Sequence, residues 1–193
     1  MSHPDADKWD AIYKASNHDQ CSPSRVLLDY AYLLPKTGRA LDLACGTGMN
    51  AVFLAQHGLE TYAWDISKQA IEKLNRTAIK LNINIMAEVR DVVSFPPDKN
   101  SFDVIVVTHF LDRQLIPKII KAICENGLLF YQTFTRDRID DTGPGNPDYR
   151  LQKNELLKLC NSLNILLYQE DGLVGDHQQG LRNEAMLIGQ CNR

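Results

Sequence analysis

The stretch that decides the fold is ALDLACGTGMNAVFLA, residues 40–55. It begins with a short apolar run holding one acid, Asp42, continues into two glycines, Gly46 and Gly48, and ends in apolar residues at helical spacing. A strand, a glycine turn and a helix in this order place the turn at the carboxyl end of the strand, where open α/β sheets bind ligands. The stretch therefore predicts a ligand site.

The residues of the turn limit the class of ligand. A P-loop is excluded, because that motif ends in Gly-Lys followed by Ser or Thr, whereas Met-Asn follows Gly48 here. A dinucleotide site stays open, because residues 46–51 read G-x-G-x-x-A and Asp65 follows near the distance at which an acid meets a ribose hydroxyl. Asp42 favours another ligand: a carboxylate repels a diphosphate but attracts an ammonium or sulfonium group. S-adenosylmethionine carries both groups.

From Gly38 onward, short apolar runs alternate with helical patterns. This alternation predicts an α/β fold with a doubly wound, mostly parallel seven-stranded sheet, and the last two strands are expected to form an antiparallel hairpin at one edge. The predicted strands cover 39–44, 59–65, 83–91, 102–109, 126–134, 164–170 and 184–190. Helices are predicted for 49–57 and 154–161. Two further helices are predicted from apolar stripes, one formed by Ile71, Leu74, Ala78 and Leu81 and the other by Ile116, Ile119, Ile120 and Ile123.

The amino-terminal part predicts two helices ahead of this core. One amphipathic helix carries Trp9 and Tyr13 on the same face. A second helix is expected to start with Ser22 as its N-cap and Pro23 in the first position. We expect one domain over 1–193, with 1–36 as a helical cover and 37–193 as the Rossmann-like core.

Composition excludes several classes of partner. The 21 basic and 24 acidic residues give a net charge of −3, which offers no basic footprint for nucleic acid. No apolar run has the length of a membrane span. Five scattered cysteines without a C-x-x-C spacing argue against a disulfide framework and a metal site and fit reduced thiols in a cytoplasm. We therefore expect a cytoplasmic monomer or homodimer that acts on a small molecule.

The motifs resemble class I S-adenosylmethionine-dependent methyltransferases over essentially the whole chain. The glycine-rich motif of that family is similar to residues 40–48, although Ala44 stands where glycine is common, so the backbone there is expected to keep a negative φ. The resemblance implies a seven-stranded sheet with an antiparallel last strand and S-adenosylmethionine as cofactor. It also implies that Asp65, with Ile66 beside it, binds the ribose.

The resemblance extends to later segments. VRDVVSFP is similar to the segment that binds adenine, which implies Asp91 for the amino group and Val92 for a backbone contact. FDVIVVTHFLDR is similar to the fourth-strand motif, which implies that Thr108 and His109 border the methyl group. KWDAIY, THFLDR and NPDYRLQKNELLKL together resemble the small bacterial tellurite-resistance and thiopurine methyltransferases.

Each candidate also has a structural alternative. The three acids could cap the turns or helices that follow them, with Ser67 competing with Asp65 for that role. His109 could be a satisfied structural histidine. Two candidates, His109 and Arg113, are expected at the reacting centre. Arg113 either binds an anionic acceptor or pairs with Asp112 or with the polar loop 135–150.

The remaining candidates lie at the rim. Trp9 and Tyr13 either cover the methionine end of the cofactor or pack on the sheet. His177 and Arg182, in the loop before the last strand, either contact the acceptor or are only solvated.

Three functions compete at this point. The first is methyl transfer by in-line displacement to a thiol, a selenium or tellurium oxyanion or a similar soft nucleophile, where orientation alone supplies much of the acceleration and no base is obligatory. The second is a nicotinamide-dependent oxidoreductase, which Asp42 and the lack of a Tyr-x-x-x-Lys pair disfavour. The third is a non-catalytic module that keeps the cofactor pocket.

Overall fold

The computed structural model describes residues 4–15 and 22–192, which contain one sheet. Its strands are β1 (Arg39–Leu43), β2 (Glu60–Asp65), β3 (Ile85–Val89), β4 (Phe102–Thr108), β5 (Ile123–Phe134), β6 (Asn164–Gln169) and β7 (Glu184–Gln190). The order across the sheet is β3-β2-β1-β4-β5-β7-β6. The first five strands pair in parallel, and β7 is antiparallel to β5 and β6. The predicted seven-stranded sheet and its antiparallel last strand are confirmed.

Helices follow most of the strands. They are α1 (Pro4–Ala15), α2 (Arg25–Asp29), α3 (Met49–Gln56), α4 (Lys68–Leu81), α5 (Ile116–Ala122) and α6 (Glu155–Leu159), with 3-10 turns at Ala31–Leu33 and Pro147–Tyr149. The helix α4 begins at its N-cap Ser67, whose hydroxyl accepts a hydrogen bond from Ala70 N–H. None of the helices in the two described ranges is long and apolar enough to cross a membrane.

The central strands are buried on both faces, as β-branched runs in parallel sheets are. Ile105 and Val107 of β4 join one apolar cluster, whereas Val104 and Val106 join the cluster on the other face. This alternation places α5 and α6 on the first face and α2 on the second. The strand is thereby held on both sides, which fixes the position of its carboxyl end.

Several predicted boundaries are wrong; β3 is shorter than the predicted 83–91, and β5 begins before the predicted residue 126. The second helix begins at Arg25 with Ser24 as its N-cap residue, and not with Ser22 and Pro23, because Ser24 N–H donates to the side chain of Asn50. The apolar stripe after β4 also ends one residue early, since Ile123 is already the first residue of β5 and pairs with Phe102.

Parallel pairing brings the carboxyl ends of β1, β2, β4 and β5 to one edge of the sheet. The loops 135–150 and 170–183 lie at the same edge, because β6 runs parallel to β5 and β7 begins opposite Phe134. Two surface depressions, beside Gly58 and beside Asn126, lie at the opposite edge, away from the glycine turn.

Candidate active site

The glycine turn between β1 and α3 has a left-handed backbone at three positions. Ala44, Gly46 and Gly48 have φ values of 55°, 55° and 77°. The expected negative φ at Ala44 is therefore wrong. The reason lies in the neighbouring strand: Cys45 N–H bonds Trp64 O at 3.0 Å, and this contact holds the chain in a conformation that costs a residue with a Cβ about 1–2 kcal/mol.

Replacing Ala44 by glycine is expected to stabilise the protein. Glycine adopts a positive φ without the Cβ clash, and a gain of about 1 kcal/mol corresponds to a rise of about 2–4 °C in melting temperature for a domain of this size. Ala87→Gly in the extended strand β3 is the matched control and should lower stability by about 0.5–1 kcal/mol. Equal losses in both variants, measured by thermal and urea unfolding, would contradict a strained backbone at Ala44.

Gly46 and Gly48 are required by close packing. A Cβ on Gly48 would lie 2.4 Å from a methyl carbon of Leu74 in α4, and one on Gly46 would lie 2.7 Å from the hydroxyl of Tyr13 in α1. The turn is thus enclosed by α4 on one side and α1 on another. A larger residue at either position would have to displace the side chain of Leu74 or Tyr13 and would adopt a positive φ that favours glycine.

Asp42 is completely buried at the end of β1. Its Oδ2 accepts a hydrogen bond of 3.0 Å from Ala51 N–H in the first turn of α3, and its Oδ1 has no hydrogen-bond partner in the described part of the chain. Burial raises the pKa of Asp42 to about 8, and the nearby Asp65 acts in the same direction, although the hydrogen bond from Ala51 and the neighbouring Asn50 side chain oppose the rise. One oxygen thus caps α3, as the structural alternative expected, and the other is unpaired.

Asp65 ends β2 and binds the turn directly. Its Oδ2 accepts a hydrogen bond from Gly46 N–H and its Oδ1 accepts one from Ser67 N–H, both at 2.8 Å. Burial raises the pKa of the Asp65 carboxyl, against the lowering effect of these backbone donors. The N-cap of α4 is Ser67, so Asp65 is left to join the glycine turn to the start of α4.

The segment after β3 approaches β2 from the side. Asp91 Oδ1 accepts hydrogen bonds from Val93 N–H at 3.0 Å and Ser94 N–H at 3.4 Å, which organises its own turn. Val92 is buried in the core. The guanidinium of Arg90 lies 3.9 Å from the centroid of the Trp64 ring. Asp91 and Val92 thus lie beside the end of β2 and directly follow Arg90, whose guanidinium lies on the face of the Trp64 ring.

The helix α1 covers the turn. Tyr13 faces Gly46, and the Trp9 ring stacks against Tyr13 with 5.9 Å between centroids, although Trp9 itself is 39% exposed. Asp10 fastens the helix, since its Oδ1 accepts hydrogen bonds from Ser67 Oγ and from Gln69 N–H at 3.1 Å. The face carrying Trp9 and Tyr13 therefore lies over the glycine turn.

Removing this fastening should loosen α1. Asp10→Ala deletes an acceptor at the amino end of α4, a change that costs about 1 kcal/mol at helix caps. We expect faster amide exchange in residues 4–15 and a several-fold weaker affinity for S-adenosylhomocysteine. Hydrogen exchange by mass spectrometry and calorimetry measure both quantities. Asp7→Ala, on an exposed position of α1, is the matched control; equal exchange rates in the two variants would show that Asp10 does not hold the helix.

Asn50 is a site residue that the sequence reasoning missed. Its Nδ2 donates to Thr108 Oγ1 at 2.9 Å, and its Oδ1 accepts the hydrogen bond from Ser24 N–H at 2.8 Å. The side chain, only 7% exposed, therefore connects α3 with the end of β4 and the start of α2. The signal in the sequence is an amide in the first turn of an otherwise mostly apolar α3.

His109 follows β4 at the same edge, with a left-handed φ of 55°. Its Nε2 lies 2.9 Å from Glu184 Oε1, and its ring stacks on Phe134 with 4.8 Å between centroids. The sequence reasoning did not identify Glu184, because it lies far along the chain on β7. The structure brings the two together across β5.

Two arginines organise the loop 135–150. Arg113 Nε donates to Glu155 Oε1 at 2.7 Å, and its Nη1 and Nη2 donate to backbone carbonyls of that loop. Arg150 is 2% exposed and donates to Pro144 O, Thr135 O and Thr142 O. Arg113 thus pairs with Glu155 and the loop, as one of its two alternatives expected, and not with Asp112.

His177 and Arg182 lie in the loop between β6 and β7, at the edge of the sheet where they were expected. Arg182 donates to the carbonyls of Gln179, Gly172 and Asp176 within its own loop. The Nε2 of His177 lies 3.0 Å from Leu173 O. Both side chains therefore hold their own loop together.

The fold is that of solved methyltransferases. The structure of TehB from Haemophilus influenzae superposes with a TM-score of 0.74 at 24% identity, over 96% of this chain and 67% of that one. Geranyl diphosphate C-methyltransferase from Streptomyces coelicolor superposes with a TM-score of 0.72 at 13% identity, over 98% of both chains. The sheet and its glycine turn thus define a class I methyltransferase fold.

Sequence comparison gives the family. The model of "Tellurite resistance protein TehB" matches residues 24–183, so the chain belongs to the TehB family. The "Probable S-adenosyl-L-methionine-dependent methyltransferase TehB" of Haemophilus influenzae is 36% identical over 91 residues, which are 46% of this chain and 32% of that protein. The aligned part thus spans about a third of that curated relative.

Proposed function

We propose that this chain transfers the methyl group of S-adenosylmethionine to a small molecule with a soft nucleophile, a thiol or a selenium or tellurium oxyanion. The observation that carries the proposal is the buried carboxyl of Asp42, with one oxygen unpaired, at the end of β1 beside the glycine turn. Burial keeps this carboxyl protonated at neutral pH, and a cationic ligand beside it would favour its ionised form, whereas a diphosphate would oppose ionisation. The methyltransferase names of relatives in the same family support this choice.

The residues at this edge fit the parts of the cofactor. We assign the ribose hydroxyls to Asp65, the cationic methionine end to Asp42, and the adenine to Asp91 and Val92. When bound, S-adenosylmethionine supplies a methyl group that its sulfonium activates. The other positions that we assign to the cofactor are Ala44, Gly46, Gly48, Ile66, Thr108, Trp9 and Tyr13.

Orientation and exclusion of water are the main contributions of the chain itself. Asp65 joins the glycine turn to α4, so the ribose site would be fixed by two elements. The helix α1 would close over the methionine end, which keeps water from the reacting centre. On the acceptor side we assign His109, with Arg113, His177 and Arg182 at the rim of the two loops.

Calorimetry with the isolated protein tests the cofactor. We expect saturable binding of S-adenosylmethionine and S-adenosylhomocysteine, and no quenching of NADH fluorescence. Transfer of a labelled methyl group to a panel of thiols, selenite, tellurite and thiopurines then tests catalysis. NADH binding would favour an oxidoreductase, whereas cofactor binding without transfer to any acceptor would favour a non-catalytic module.

A further inference from the structure

A chain of hydrogen-bonded polar groups runs along the edge of the sheet where the parallel strands end, on the side that we assign to the acceptor, and it ends at His109. Glu184, the first residue of β7, accepts from His109 Nε2 through Oε1 and from Gln132 Nε2 through Oε2. Gln132 Oε1 in turn accepts a hydrogen bond of 2.8 Å from Val26 N–H in α2. Both carboxylate oxygens and both ends of the amide are therefore used, so Glu184 has a fixed orientation.

These hydrogen bonds determine which nitrogen of the His109 ring is free to accept a proton. Since a carboxylate accepts and Nε2 donates, the neutral ring carries its proton on Nε2 and its lone pair on Nδ1. Nδ1 has no hydrogen-bond partner among residues 4–15 and 22–192. The His109 side chain is 48% exposed, whereas that of Glu184 is 15% exposed. The ring plane is held by Phe134, at an interplanar angle of 23°. A fixed, accessible lone pair is the arrangement of a general base.

The backbone supports the same interpretation. His109 occupies the left-handed region, which non-glycine residues adopt at a cost, and its N–H is bonded to Gln132 O at 2.9 Å. Strained positions of this kind concentrate at functional sites. The strain turns His109 out of the direction of β4 at the end that we assign to the methyl group.

The charges at this edge favour a neutral acceptor. Burial alone would raise the pKa of Glu184, but the hydrogen bonds from His109 and the Gln132 amide, together with the positive charge that His109 carries when it is protonated, outweigh burial and hold the pKa below its usual range, so the group is a carboxylate at neutral pH. The guanidinium of Arg150 lies 5.5 Å from the centroid of the Phe134 ring, but it is bonded to loop carbonyls, and Arg113 is bonded to Glu155. An oxyanion would thus meet a carboxylate and two arginines that are already engaged.

We propose that His109 Nδ1 is the general base of the methyl transfer, that Glu184 is its positioning residue, and that the acceptor is a neutral thiol whose sulfur still carries its proton. The inference rests on the proposed function and narrows its acceptor. The proton passes from the thiol to Nδ1 while the sulfur electron pair forms the bond to the methyl carbon. The carbon–sulfonium bond breaks with its electron pair on the leaving sulfur, and the imidazolium, held by Glu184, then releases its proton to water.

A series of thiols of graded acidity tests the base. Alkanethiols are protonated at pH 7, whereas thiophenols with electron-withdrawing groups are already ionised and need no base. We expect His109→Gln to lower kcat/KM about 10²–10⁴-fold for alkanethiols and less than about tenfold for ionised thiophenols. His57→Gln is the matched control, because the His57 ring also contacts a phenylalanine ring, that of Phe53, but its Nδ1 lies 3.1 Å from the backbone carbonyl of Phe53 at the far end of α3.

Glu184→Gln tests the positioning role. Its amide oxygen still accepts from Nε2–H but carries no charge, so we expect kcat for alkanethiols to fall about tenfold or more with KM unchanged. Long-range ¹H–¹⁵N correlation spectra report the tautomer directly: His109 should carry its proton on Nε2 in the wild-type protein and populate both tautomers in Glu184→Ala. Unchanged affinity of each variant for S-adenosylhomocysteine shows that the fold is intact.

Some outcomes would overturn only the general base, and another would overturn the proposed function itself. An equal loss for all thiols, a wild-type His109 with its proton on Nδ1, or cofactor binding with no thiol methylated would each overturn the base while leaving cofactor binding in place. A wild-type protein that binds neither S-adenosylmethionine nor S-adenosylhomocysteine would overturn the proposed function, and the base with it.

Discussion

Replacing Asp65 by alanine is expected to weaken binding of S-adenosylhomocysteine by about 100-fold or more and to destabilise the protein by about 2–4 kcal/mol. The carboxylate accepts from Gly46 N–H and Ser67 N–H, and it is only 6% exposed. Its removal leaves two buried donors without an acceptor and separates the glycine turn from the start of α4. Affinity and stability should therefore fall together.

Two further variants serve as comparisons for Asp65→Ala. Asp65→Asn keeps an oxygen that can accept one of the two hydrogen bonds, so its loss of stability should be intermediate. Asp98→Ala, on an exposed turn before β4, should change stability by less than about 0.5 kcal/mol. Binding is measured by calorimetry below the melting temperature of each variant. Affinity within threefold of the wild type in a folded Asp65→Ala protein would remove Asp65 from the cofactor site.

Replacing Asp42 by asparagine is expected to flatten the dependence of stability on pH. The folded-state pKa of Asp42 is raised from 3.8 to about 8, so between these values the folded protein retains a proton that the unfolded chain has released. The free energy of unfolding of the wild type therefore falls as pH rises through this window. From pH 5 to pH 8 this contribution amounts to as much as about 4 kcal/mol, and Asp42→Asn should lack it.

Urea unfolding at pH 5 and pH 8 measures this difference. Asparagine is neutral at both pH values and its oxygen can still accept from Ala51 N–H, so the fold is expected to survive. Asp103→Asn is the matched control: Asp103 accepts from Arg39 N–H at 2.7 Å at the opposite edge of the sheet. A pH dependence that is as steep in Asp42→Asn as in the wild type would show that Asp42 does not hold a proton in the folded state.

Local sequence patterns were sufficient for most of the fold. The alternation of apolar runs and helical spacing marked all seven strands, and β7 (Glu184–Gln190) was placed to the residue. The turn after β1 was also correctly located, because glycines at the end of an apolar run have few other uses. These features depend on residues that are neighbours in the chain.

The features that the sequence missed depend on distant partners. The left-handed backbone at Ala44 is held by a hydrogen bond from the next residue to Trp64, which outweighs the preference of alanine. Asn50 acquires its role from Ser24 and Thr108, and His109 acquires its role from Glu184. No spacing rule connects residues on separate strands, so these contacts emerge only when the sheet is assembled.

The position of α1 along the chain has a consequence for the cover of the glycine turn. The family model begins at residue 24, whereas the helix that covers the glycine turn spans Pro4–Ala15. The covering helix and the family-matched segment beneath it are therefore separate stretches of chain. A change within α1 can therefore alter how the glycine turn is covered without changing the stretch of chain that forms the sheet, the turn and its acids.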